Sequence, residues 1–92
     1  MSNTRALVLI KTELGTAKQV AEAAAELGAV QWAIVVTGQY DVIAAVSVED
    51  NAALGKLVVD QIQQIAGVKD PSTLVIAETY RKSTARGNEM FP

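Results

Sequence analysis

"VQWAIVVTGQYDVIAAVSV", residues 30–48, places two apolar, β-branched runs on either side of a short polar turn. Runs of this kind bounded by a glycine turn read as two strands of a hairpin. The spacing predicts one strand over 30–37 and a second over 40–48, joined by Gly38 and Gln39. Glycine at the first central position suits a type II′ turn, which needs positive φ there. One residue does not fit a buried hairpin. Asp41 puts a carboxylate beside Val42, Ile43 and Ala44. It is either a solvated charge at a hairpin end or an anchor for a ligand.

Working outward, "RALVLIKT" (5–12) reads as a first strand, and Gly15 and Thr16 follow as a turn and a helix cap. Ala17, Val20, Ala21, Ala24 and Leu27 fall on one face of a helix over 17–27, with Gly28 as its C′ stop. A second helix spans about 52–66 behind the cap-forming "EDN". Its inward face is Leu54, Leu57, Val58, Ile62 and Ile65, and Gly67 ends it. Asp70 and Pro71 read as a turn before a last strand, "STLVIAETY" (72–80).

The order is βαββαβ. Two right-handed βαβ crossovers joined by a hairpin interleave into a four-stranded antiparallel sheet with both helices on one face, the ferredoxin-like α+β fold. Such a sheet in a monomer alternates apolar and polar residues. Here Trp32, Ile34 and Val36 oppose Ala33 and Val35, Val42, Ala44 and Val46 oppose Ile43 and Ala45, and Leu74 and Ile76 oppose Val75. Both faces are apolar, so the face without helices should be covered by a second copy.

Composition agrees. The 92 residues make a single domain, 50% of them apolar, more than so small a globule buries alone. No run is long enough to span a membrane and no apolar signal segment opens the chain, so a cytoplasmic location is expected. With neither cysteine nor histidine, disulfides, cysteine-based metal sites and the commonest general base are excluded. A net charge of −2 with scattered cations argues against direct nucleic acid binding. The one basic cluster, Arg81, Lys82 and Arg86, lies in a polar tail over 81–92 that reads as a frayed terminus.

The "TGQYD" hairpin (37–41), the "GV" at 67–68 and a final strand led by Thr73, in that order on this fold, resemble the effector-binding (RAM) domain of the Lrp/AsnC transcription regulators. The resemblance covers about residues 5–80. It implies a dimeric α/β barrel, assembly into larger rings such as octamers, and an amino acid effector held where dimers meet. It also implies a pocket with one wall from Gly38, Gln39, Tyr40 and Asp41, another from Leu74, Val75 and Ile76 of an adjacent subunit, and a lesser contribution from Asn51. Full-length members of that family add an N-terminal helix-turn-helix. The first strand starts at Arg5, so the chain is expected to be a stand-alone effector domain that acts on full-length regulators.

Each of these residues also has a plainer explanation. Tyr40 suits cross-strand packing, Gly38 is needed by the turn alone, and Trp32 suits the core or an interface. Glu13, Glu22 and Glu26 converge on no base or nucleophile and read as solvated charge. No cofactor is expected. Two other classes stay open: an enzyme of the small monooxygenase type, which uses the interior of a dimeric α/β barrel, and a purely structural module that joins mixed assemblies.

Overall fold

The computed structural model describes residues 3–82. The elements follow in the order β1 (Thr4–Thr12), α1 (Ala17–Ala25), β2 (Val30–Val35), β3 (Val42–Val48), α2 (Asn51–Lys56) and β4 (Val68–Val75). Helix α2 continues into a π-helical turn over Leu57–Ile62, in which the Gln63 N–H reaches back five residues to the Val58 carbonyl at 2.8 Å. The sheet order is β2-β3-β1-β4, and every adjacent pair is antiparallel. This is the expected ferredoxin-like arrangement, with β1 and β3 central and β2 and β4 at the edges.

One face of the sheet carries the core. Ala6, Val8 and Ile10 of β1 and Val42 and Val46 of β3 pack against Val20 and Ala21 of α1 and Leu54, Leu57 and Ile62 of the second helix. Val8, Ile10, Val20, Val42 and Ile62 are fully buried. Each contributes roughly 1.5–3 kcal/mol of transfer free energy. Because the helix-facing residues of β1 are the even ones, Leu7 and Leu9 point to the face without helices. Their cross-strand partners Ala45 and Ile43 join them there, beside Trp32 and Ile34 of β2.

A bulge on each edge strand adjusts this pattern. On β2 the pairing passes from Val30 opposite Val46 to Trp32 opposite Ala45, so Gln31 is the extra residue. Val30 and Ala33 lie an odd number of positions apart, yet both pack against the core. The bulge makes that possible and leaves Trp32 on the other face. On β4 the shift falls between Asp70 and Val68, opposite Lys11 and Thr12.

Four local expectations need correction. Asp70 and Pro71 do not form a turn, and the last strand is Val68–Val75 rather than 72–80. Pro71 sits opposite Ile10 within β4. An edge strand tolerates proline because only one of its sides must pair. Beyond Val75, among the described residues, only the Ile76 N–H continues the ladder, bonding the Arg5 carbonyl at 2.8 Å. The hairpin connection is also wider than two residues. Strand pairing ends at Val35 opposite Val42, with a last bond from the Val36 N–H to the Asp41 carbonyl at 2.9 Å. The expected register is kept, but residues 37–40 form an open loop, because the Asp41 N–H turns to β1 instead.

Helix α1 ends at Ala25 through three-residue-spaced bonds, Glu26 N–H to Ala23 and Leu27 N–H to Ala24, and Gly28 is not among the positive-φ glycines. Finally, Thr16 occupies the cap position of α1 but its hydroxyl donates to the Glu13 carbonyl at 2.8 Å. The second helix is capped as expected from "EDN": the Asp50 carboxylate accepts the Ala53 N–H at 2.8 Å. Of the polar tail expected over 81–92, Ser83 onward lies outside the described residues.

Candidate ligand-binding site

Asp41 stands where the β2–β3 loop meets the end of β1. The order of the sheet puts β3 against β1, so the first residues of β3 face the last residues of β1. The Asp41 N–H donates to the Ile10 carbonyl at 2.9 Å. Its Oδ2 accepts the Thr12 N–H at 2.9 Å and the Thr12 hydroxyl at 3.3 Å. The half-buried carboxylate is therefore neither a free hairpin charge nor fully satisfied. Oδ2 ties the loop to β1, and Oδ1 has no hydrogen-bond partner among the described residues.

The rest of the loop is arranged around this tie. Gly38 has φ +141°, a backbone conformation that residues with a Cβ rarely adopt. Gly38 and Gln39 are exposed, whereas Tyr40 is half-buried. The Lys11 ammonium lies 5.7 Å from the centre of the Tyr40 ring. That distance is within the range of a cation–π contact. Nothing in the sequence marks Lys11 and Thr12 as site residues. They are 29 or 30 positions from Asp41, and only the β3–β1 adjacency of the expected sheet connects them to it.

The other residues expected in the pocket lie elsewhere in the same chain. Leu74 pairs with Leu7 and Val75 with Ala6, at the opposite end of β1 from Asp41. Leu7 and Ala6 are five and six positions before Thr12, so at about 3.4 Å per residue the two regions lie roughly 17–20 Å apart. Leu74 and Val75 also point to opposite faces of the sheet. Ile76 borders a concave region of about 580 Å³ on the face without helices, with Leu7, Trp32, Ala45 and Tyr80. Val75 and Asn51 share a shallower groove of about 360 Å³ on the other face, with Leu54, Val58 and Thr73. The structure thus groups Gly38–Asp41 at one end and Leu74–Ile76 at the other, with Asn51 beside Val75. A single chain does not bring the two walls together.

The Lrp/AsnC ligand binding domain family model matches residues 5–86. Among solved structures, TTHA0845 from Thermus thermophilus is 33% identical, with 86% of this chain and 99% of that one covered and a TM-score of 0.78. AsnC from E. coli is 19% identical, with 90% and 56% covered and a TM-score of 0.80. The transcriptional regulator NMB0573 from Neisseria meningitidis, solved as a complex with L-Met, is 18% identical, with 89% and 55% covered and a TM-score of 0.77. The chain spans about half the length of these last two proteins, and at such identities they speak to the fold alone. No curated protein matches the chain significantly.

Proposed function

Because the chain belongs to the Lrp/AsnC ligand-binding domain family, we propose that it is a regulatory domain that binds a small amino acid beside Asp41, at a contact between subunits. The observation that carries the reading is the half-used carboxylate of Asp41, held by Thr12 through Oδ2 with Oδ1 open. A half-buried, oriented carboxylate oxygen suits an ammonium group, and a charge-assisted bond of this sort is about twice as strong as a neutral one. A protein of the same fold has been solved with L-Met, which supports an amino acid as the ligand class.

Gly38, Gln39 and Tyr40 form the near wall in this reading, and Leu74, Val75, Ile76 and Asn51 of a neighbouring subunit form the far one. Two facts support assembly. The two walls lie at opposite ends of one chain, and the face without helices presents Leu7, Leu9, Trp32, Ile34 and Ile43 with no helix to cover them. A second copy covers that face, and ligand occupancy biases the larger assembly. DNA contact comes from a segment or a subunit that carries a helix-turn-helix, since the two described helices are separated by strands. Family membership favours binding over catalysis, and hence this reading over the barrel enzyme. Calorimetry against the twenty L-amino acids tests it. Binding of one or a few at micromolar to sub-millimolar concentration is expected, and no binding below about millimolar overturns it.

A further inference from the structure

We infer that Lys11 is the second pole of this site, its ammonium taking the carboxylate of the amino acid whose ammonium rests on Asp41. The inference rests on the amino acid reading above and adds to it a residue that nothing else points to.

Asp41 grips β1 on both sides of Lys11. Its N–H bonds Ile10, the residue before, and its Oδ2 accepts from Thr12, the residue after. The Lys11 backbone is thereby fixed next to the loop. Its side chain turns towards the same loop, over Tyr40, the residue preceding Asp41. At 5.7 Å from the ring centre the ammonium is near the outer limit of about 6 Å at which a cation is held by a ring face. The ring positions the charge without locking it.

Neither charge is neutralised. Among the described residues the Lys11 ammonium makes no ion pair, although the exposed Asp70 lies opposite it on β4. Asp41 spends both Thr12 donors on Oδ2 and keeps Oδ1 open. An anion and a cation thus border the same loop without pairing, one held by Thr12 and the other over Tyr40. A free α-amino acid carries both an ammonium and a carboxylate on one carbon and meets both poles at once. A simple amine, an α-amide or a carboxylic acid meets only one. The arrangement selects the zwitterionic head group, leaving the side chain to be read by the wall that a neighbouring subunit supplies.

The test compares three forms of one probe. The twenty L-amino acids are titrated first into the unaltered protein. The tightest of them is then compared with its α-amide, which lacks the carboxylate, and its des-amino acid, which lacks the ammonium. The unaltered protein is expected to prefer the amino acid over the amide by roughly 10- to 150-fold, the range for one charge-assisted bond. Lys11→Met should abolish that preference while keeping the preference over the des-amino acid, and Lys11→Arg should retain both. Lys11 is only half-buried, and far-UV circular dichroism checks that each variant folds. The inference is overturned if Lys11→Met still discriminates against the amide, or if it weakens amino acid and amide equally. If the unaltered protein binds none of the twenty, the amino acid reading itself has failed, and this one goes with it before any variant is made.

Discussion

Thr12 and Asp41 are 29 residues apart in sequence, yet Thr12 gives both its backbone N–H and its hydroxyl to the same carboxylate oxygen of Asp41. The contact joins the end of a central strand to the loop that carries the candidate site. It also changes what a substitution there should do. Asp41→Ala leaves the Thr12 N–H in a half-buried position without an acceptor, which costs roughly 1–3 kcal/mol. Asp41→Asn keeps an acceptor of the same shape and should cost less. Thr12→Val removes only the hydroxyl bond and should fall at about 0.5–1.5 kcal/mol. Urea unfolding of the three variants checks the order. Equal stability of Asp41→Ala and the unaltered protein would show that the tie does not contribute to stability.

A second prediction concerns Gly67, which closes the turn into β4. It has φ +99°, and a Cβ placed there would lie 2.6 Å from Thr16 Oγ1 and 3.1 Å from Val20 Cγ2. Its carbonyl accepts the Glu13 N–H at 2.7 Å, which fastens this turn to the end of β1. Gly67→Ala therefore combines left-handed strain with a clash against the start of α1. A loss of at least about 2 kcal/mol is expected, or roughly 8 °C or more in the thermal midpoint. Gly55 is the control. It lies in α2 with nothing within 4 Å of an added Cβ, so Gly55→Ala should raise stability by up to about 1 kcal/mol. Thermal unfolding of the pair decides it, and a Gly67→Ala protein as stable as its parent refutes the packing argument.

How much of this was legible beforehand depended on whether the signal was local. The fold was legible because six alternating elements leave few topologies, and the inward residues Val20, Ala24, Leu54, Leu57 and Ile62 repeat at helical spacing. Asp70 and Pro71 look like a turn in sequence but lie within β4, for a reason of context. Both residue types favour turns, and nothing near them in sequence shows that β4 is an edge strand. The extra residues Gln31 and Lys69 were equally hidden, since a bulge is set by what the opposite strand must bury. At the site, Asp41 stood out by being an acid among valines. Thr12 and Lys11 did not, because a threonine and a lysine at a strand end are ordinary until the sheet sets them beside that acid.

The face of the sheet without helices yields a third prediction. Leu7, Leu9, Ile34 and Ile43 share that face with Trp32 and Ala45. Covering about 800 Å² per subunit, half of it apolar, gives on the order of 10 kcal/mol of gross hydrophobic gain before the costs of association. Ala45, unlike Ala33, points away from the helices, but it is already 6% exposed in one chain, so a charge there would disturb the subunit itself. Ile43→Glu is the cleaner variant because Ile43 is only half-buried. It should dissociate the assembly while preserving the circular dichroism spectrum. Sedimentation velocity is the measurement. A well-folded monomer of the unaltered protein at micromolar concentration sinks the idea.

The last prediction separates the charge of Asp41 from its structural role. Alanine at 41 would confuse the two, because it removes the acceptor for Thr12 together with the anion. Asparagine does not: its side-chain oxygen can still take the Thr12 N–H, and its amide presents no negative charge where Oδ1 stands. If Oδ1 receives the ammonium of an amino acid, Asp41→Asn should weaken binding by roughly 10- to 150-fold, the worth of one charge-assisted bond. Stability should change little over the same substitution. Calorimetry supplies the first number and urea unfolding the second, and their disagreement is the informative result. If the far wall belongs to a neighbouring subunit, the amino acid that binds should also shift the sedimentation profile of the unaltered protein, and the same concentration should leave Asp41→Asn unmoved. Equal affinity of the two proteins for the same amino acid would return Asp41 to a purely structural tie between the loop and β1.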